Sequence, residues 1–424
     1  MTDERGVLRR IAWRELFPWL IIFRAFRLSI SPPLLAVATL AVMLTYVGSW
    51  VGSVFLIQKV GEEWKIVAPP APRLAEQTPP AMARYLPGEG SSANEGYFRL
   101  ADPVYGVFRR EMTMNQAAYF VFVSLWSLAV WALAGGIITR RAVVEFGAEE
   151  TPGFVETVKF AARRYLWYFL APLYPLAGVM LLMLPIAGLG LLASFTDLGV
   201  VLAGILWIFV ILAGLVAAWL LAGLLFGFPL MWGTISAERE GDAFEAFSRS
   251  FSYVYGKPLH YLFYAVIAAL FGALCWAVAH YTADIIIEFG FWSFSWGMGA
   301  DEAKRIENLA VFDSIPSLGD DQRIARFGGI LIALSTGLVR LVESAFTLSF
   351  FWCVAAAIYL LMRQDVDDKE LDDVYVPTEA PAPKGPTATA AAPTHEPTPA
   401  PVPTAEAPPA PDQRPVETVQ EPPQ

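Results

Sequence analysis

The sequence predicts an all-α fold, a polytopic membrane bundle of six transmembrane helices, on three observations. Hydrophobic residues make up 56% of the chain and charged residues 17%, against about 45–50% and about 25% in ordinary soluble domains. Several stretches run about 20 residues without a charge, the length that crosses a hydrocarbon core about 30 Å thick. Those stretches lack the alternation of a barrel strand, and an open strand in lipid leaves backbone polar groups unpaired, so helices are the remaining solution.

Residues 1–33 form a charged, amphipathic N-terminal segment, expected on the cytoplasmic side. Its opening, MTDERGVLRRIAWRELFPW, is too long and too charged before the first apolar run for a cleaved signal, so that run reads as a retained anchor. The membrane domain spans 34–362. Its first span, from Leu34 to Ile57, follows Ser31-Pro32-Pro33, and proline suits a helix start because the first helical N–H groups have no partner inside the helix. An extracytoplasmic loop is expected at 58–116. The second span runs from Ala117 to Thr139 and stops at Arg140-Arg141. The third, Leu170 to Ala193, is parted from the fourth only by Ser194 to Gly199, a tight helical hairpin. The fourth continues from Val200 to Trp232, longer than one perpendicular crossing, so it must tilt, bend near Pro229 or run along the interface. The fifth covers Tyr261 to Ala283, a second extracytoplasmic loop is expected at 284–328, and the sixth span covers Leu341 to Met362.

Lys and Arg near the span ends set the orientation. Arg5, Arg9, Arg10, Arg14, Arg24 and Arg27 precede the first span, Arg140, Arg141, Lys159, Arg163 and Arg164 lie between the second and third, and Arg239, Arg249 and Lys257 lie between the fourth and fifth. Both termini are therefore expected in the cytoplasm. Each odd-numbered span is preceded by an amphipathic stretch, Leu16 to Ile30, Phe154 to Tyr168 and Phe244 to Tyr255, in which aromatics beside cations suit a helix lying in the headgroup plane. GGIITRRAVVEFGAEETPGFVETVKFAARRYLWYFLAP also matches WGTISAEREGDAFEAFSRSFSYVYGKPLHYLFYAV in order, each passing from a Gly/Ile span end through an acidic turn into a Phe-rich basic helix. This weak repeat predicts three units, each an interfacial helix followed by a helical hairpin.

PLMWGTISAEREGDAFEAFSRSFSYVYGKPLHYLFYAV resembles the cytoplasmic helix and span start of bacterial multi-pass proteins that include the membrane domain of glycerophosphodiester phosphodiesterases, over about residues 115–285. The whole chain resembles uncharacterised bacterial integral membrane proteins. In the phosphodiesterases the chemistry belongs to a separate soluble domain, absent from this chain, so the resemblance implies the fold and a bacterial cytoplasmic membrane but no catalytic residues.

Residues 363–424 form an acidic Pro/Ala/Thr-rich tail, expected to be disordered, and residues 364–424 hold all but one unit of the net charge of −10. Its run Asp365, Asp367, Asp368, Glu370, Asp372, Asp373 departs from a calcium loop by placing Lys369 at the fifth, ligand position and Glu370 where the glycine turn belongs. No basic surplus suggests nucleic acid. The two cysteines, Cys275 and Cys353, sit inside apolar runs as small core residues.

The candidate polar positions are few. Arg340 and Glu343 stand at i, i+3 at the start of the sixth span, placed to pair on one helix face. His280, Asp284 and Glu288 follow at i, i+4, i+8, a set able in principle to bind metal or relay protons, but spread over about 12 Å by helical rise. Pro172, Pro175 and Pro185 mark helix-break candidates in the third span, and Gly214, Ala218, Ala222 and the pair Gly223/Gly227 give the fourth a small-residue face for close helix approach. There is no phosphate loop, no HExxH and no cysteine pair at zinc spacing, so no cofactor and no metal are expected. The partners expected are the lipid bilayer and a protein docked through the cytoplasmic helices or the tail. A non-catalytic membrane scaffold fits best, ahead of a transporter or channel for a small solute, with an intramembrane enzyme last.

Overall fold

The computed structural model describes residues 17–55, 58–60, 63–65, 114–309 and 323–376, and the expected tail beyond 376 lies outside them. The protein is a multi-pass membrane helix bundle: among the described residues six helical stretches are long and apolar enough to cross a bilayer. The helices are α1 (Ile21–Ser29), α2 (Pro32–Phe55), α3 (Met114–Phe146), α4 (Phe154–Arg163), α5 (Tyr165–Leu170), α6 (Leu173–Phe195), α7 (Asp197–Ile205), α8 (Trp207–Ala237), α9 (Ala243–Gly256), α10 (Pro258–Met298), α11 (Ala300–Leu309) and α12 (Arg323–Asp367). Within the expected first loop, Gln58–Val60 pairs antiparallel with Glu63–Lys65.

The three amphipathic stretches fold as α1, α4 with α5, and α9. Local chemistry sets their ends. The Asp242 carboxylate accepts from the Glu245 N–H at 2.7 Å to cap α9. The Thr196 hydroxyl accepts from the Gly199 N–H at 3.0 Å, capping α7 and closing the hairpin in one extended residue. At the other end of the chain, α12 stops where Asp368 takes the left-handed conformation, φ 52°.

Three spans, α3, α8 and α12, form the centre and each touches the other two. The remaining elements follow in a cycle. Helices α4 and α5 pack on α3 and lead to α6, which packs on α8. Helix α9 packs on α8 and leads to α10, which packs on α12, while α1 packs on α12 and leads to α2, which packs on α3 and α12. This is the three-unit organisation that the sequence repeat predicts. At its hub Trp232 and Trp352 stack with ring centroids 4.1 Å apart. They close over Gly135, where an added Cβ would lie 2.2 Å from the Trp232 ring. The pair Gly223/Gly227 does what small residues four apart permit: a Cβ on Gly223 would lie 2.3 Å from the Phe251 ring, so α9 rests directly on α8.

Two expectations about extent change. Residues 284–328 are read from sequence as a loop, yet α10 continues to Met298, α11 follows, and α12 begins at Arg323. IIIEFGFWSFSWGM and RFGGILIALSTGLV are apolar and free of proline, so nothing in them stops a helix. The fourth apolar run, in contrast, breaks at Leu206 between α7 and α8 and carries Pro229 inside α8.

Candidate functional site

Two layers of charge bracket the bundle. Along α12 the apolar stretch from Ser344 to Met362 carries no charge between Glu343 and Arg363, a rise of about 30 Å. Along α10 the interval from Lys257 to His280 rises about 35 Å and includes His260 as its one residue of the Asp, Glu, Lys, Arg and His types. The spacing matches one hydrocarbon thickness. The end bearing Arg363 is the basal end and the end bearing His280 the distal end.

At the distal layer α10 and α12 meet through a ring of four side chains. Arg340 donates to Glu343 Oε2 at 2.9 Å and also to Asp284 Oδ1. His280 Nδ1 lies 2.6 Å from Glu343 Oε1, and its Nε2 lies 3.5 Å from Asp284 Oδ2. Both ring nitrogens thus face carboxylates, which suits a doubly protonated imidazolium, because a neutral ring would point one lone pair at an anion. Trp276 stacks on the imidazole at 4.7 Å. The Arg340–Glu343 pair expected from the i, i+3 spacing is present, and His280 and Asp284 join it from the neighbouring helix. Glu288 is exposed and takes no part. Among the described residues no group of His, Cys, Asp and Glu is arranged to hold a metal ion.

The prolines sit apart from this ring. Pro172 is the residue before α6, Pro175 is buried in its first turn, and Pro185 lies within a helix that runs unbroken from Leu173 to Phe195. Lacking an N–H, Pro185 leaves the Leu181 carbonyl without its helical donor, on a stretch where Leu181 itself is exposed.

The basal layer is denser and was not evident from sequence. Its first part caps α8. The last carbonyls of a helix have no donors within it and carry the negative end of the dipole. Arg164 donates to the Ile235 and Glu238 carbonyls at 2.7 Å each and to that of Arg239. Arg140 donates to the Ser236 carbonyl and, at 2.8 Å, to that of Tyr375. Both guanidinium groups lie over the Phe160 ring, at 4.0 and 4.5 Å. Burial pushes the Arg164 pKa down from its ordinary value. Beneath them the Ser236 hydroxyl bonds with Thr139 at 3.0 Å and Tyr168 at 2.9 Å. Thr139 and Ser236 occupy matching positions of the sequence repeat, so the two units meet at equivalent residues.

The second part gathers around Glu238. Arg363 Nε donates to its carboxylate at 2.9 Å, Arg249 and Lys369 lie at 3.3 Å, and the Tyr359 hydroxyl donates at 3.3 Å. Burial alone would raise the Glu238 pKa, but Arg363, Arg249 and Lys369 outweigh it and hold the carboxyl below its usual range. Asp367 accepts from Arg249 at 3.1 Å and from Tyr253 at 2.6 Å. The Tyr375 N–H donates to the Ala237 carbonyl at 2.9 Å, tying the segment after α12 to the end of α8. A sequence signal exists for the caps, since Arg140 and Arg164 stand where span ends need donors. None exists for Glu238, whose partners are scattered from Arg249 to Lys369. Chemically the basal layer is a structural clamp, with its charges turned toward one another. Comparison with known protein families, with curated proteins and with solved structures found no match.

Proposed function

We propose that this chain is a non-catalytic scaffold of the bacterial cytoplasmic membrane, with both termini and the basal end in the cytoplasm, and that proteins dock on its basal helices and its acidic tail. The observation that carries the reading is the centre of the bundle. Trp131, Trp232 and Trp352 are buried among small side chains of α3 and α12 such as Ala132, Ala356 and Ala357, leaving apolar contact where a solute path would need polar lining. A rigid base with charges locked inward suits a platform. The resemblance to the phosphodiesterase membrane domain, a part that itself carries no catalytic residues, points the same way.

Affinity purification in mild detergent, with the full chain and with residues 377–424 removed, tests this. A defined set of proteins should copurify with the full chain and be reduced without the tail. Recovery of the chain alone in both cases, with solute flux in proteoliposomes, would favour the transporter reading instead. That second reading draws on the distal ring, where an imidazole between two carboxylates could pass a proton. Impermeant thiol reagents should label cysteines placed in 58–116 on intact cells and leave those placed in the tail unlabelled.

A further inference from the structure

Arg163 and Arg164 are adjacent in sequence and opposite in use. Arg164 turns inward to cap α8, whereas Arg163 and, one turn earlier, Lys159 are exposed and have no hydrogen-bond or ion-pair partner among the described residues. Val155, Lys159, Ala162, Arg163 and Leu166 follow at i, i+4, i+7, i+8 and i+11, a single outward stripe along α4 into α5. Its apolar members are well exposed, Val155 at 61% and Leu166 at 60%, with Trp167 beside them at 41%. Glu156 is also exposed on this side, in the first turn of α4.

The other two interfacial helices are built differently. On α1, Arg27 pairs with Glu145 at 3.5 Å and Arg24 lies 3.8 Å from Glu149. On α9, Arg249 is held by Glu238, Glu245 and Asp367. Among the described interfacial helices, α4 alone carries cations that no described protein group neutralises, and it carries them among exposed apolar side chains at the start of a membrane span.

We propose that this face of α4 and α5 is a docking surface for anionic phospholipid headgroups, with Lys159 and Arg163 on the phosphate and Val155, Leu166 and Trp167 in the glycerol and upper acyl region. Long cationic side chains keep their charge at the headgroups while their stems lie along apolar surface, and tryptophan favours the same boundary. Arginine adds a planar fork that matches phosphate. A basic residue at an anionic surface contributes about 1 kcal/mol, so each cation supplies about a fivefold preference for anionic over zwitterionic lipid.

The test uses the full chain in mild detergent doped with phosphatidylglycerol or phosphatidylcholine, reading retained lipid by native mass spectrometry and the unfolding temperature in parallel. The expected result is preferential retention of phosphatidylglycerol, weakened by salt. The double variant Lys159→Gln, Arg163→Gln should lose about tenfold or more of that preference at an unchanged unfolding temperature in phosphatidylcholine. Lys159→Arg with Arg163→Lys should keep it. Absence of a preference in the native chain, or its survival in the double glutamine variant, overturns the proposal. So does a preference that emerges only when residues 377–424 are removed, which would make the stripe the seat of the acidic tail.

Discussion

The basal and distal halves of this bundle are made from the same apolar helices but held by opposite means. In the basal half, interfacial helices, span ends and the segment after α12 interlock, and Arg140, Arg164, Arg249 and Arg363 face inward onto carbonyls and carboxylates while Lys159 and Arg163 face outward. The distal half is open. The most apolar window of α6 is 6% buried and that of α8 the same, against 89% for α12. Cβ atoms added at Gly188, Gly190, Gly204 or Gly214 would meet nothing within 4 Å. Lipid or a partner must cover what the chain leaves bare. The difference teaches where sequence is constrained: basal positions by shape and charge, distal ones chiefly by apolarity and helix propensity.

The largest effect should come from cutting the clamp at its anion. Glu238→Leu leaves Arg363, whose side chain is 2% exposed, with only the exposed Asp373 at 3.3 Å, and takes a partner from Arg249 and Lys369. Removing one partner of a buried pair costs about 3–5 kcal/mol. Thermal unfolding in detergent should drop accordingly, and a loss under about 1 kcal/mol would mean that water already neutralises these cations. The same residue gives a pH signature. Its folded pKa lies below its unfolded value of about 4.3. The stabilisation is therefore fully present above that value and lost as pH falls through the folded pKa. Acidification below about pH 5 should destabilise the native chain more steeply than Glu238→Gln.

Packing supplies the next contrast. Gly135→Val drives a branched side chain into the Trp232 and Trp352 rings and should destabilise by about 1–3 kcal/mol or more. Gly188→Val meets open space and should change monomer stability by less than about 0.5 kcal/mol. Equal effects would dissolve the distinction between the halves. If Gly188→Val left stability intact but split a complex on native gels, the distal hairpin would be a partner surface rather than a lipid-facing one.

The distal ring comes third. Its side chains are 11–34% exposed, so single losses should fall between the surface and buried limits, about 1–2 kcal/mol. Arg340→Leu and Glu343→Leu should each lower the unfolding temperature. The double variant should recover part of the loss, because His280 and Asp284 remain as a pair of opposite charge. Strict additivity would mean the four do not act together.

Much of this was legible in the sequence because it rests on local periodicity. The six spans, the three amphipathic helices, the hairpin turn at Thr196 and the approach at Gly223/Gly227 follow from composition and spacing within a few turns of chain. Half of the distal ring was legible for the same reason, since Arg340 and Glu343 share a helix face. What joins different spans was not. Glu238 collects partners up to 131 residues away, and Arg164 differs in use from its neighbour Arg163 because the end of α8, 71 to 75 residues on, supplies carbonyls on its side. The excess lengths of α10 and α12 escaped for another reason: the ring charges interrupt the apolar runs, which read as span ends until the partner charges are placed opposite.

The smallest expected effect tests whether the distal unit is the ring or a single helix face. Spacing alone groups Glu288 with His280 and Asp284 at i+8, as though one stripe of α10 carried the function. In the fold Asp284 meets Arg340 across on α12 and His280 on its own helix, while Glu288 lies one turn farther along and exposed. Neutralising Asp284 removes an acceptor from Arg340 and one of the two carboxylates facing the imidazole. Neutralising Glu288 removes only a solvated charge, and such surface changes stay within about 0.5 kcal/mol. Asp284→Asn should therefore lower the unfolding temperature, and Glu288→Gln should leave it unchanged. Moreover, a cycle pairing each with Arg340→Leu should show coupling for Asp284 and none for Glu288. If Glu288 coupled to Arg340 as strongly as Asp284 does, the helix face would be the unit, and the ring geometry would have to extend a further turn along α10.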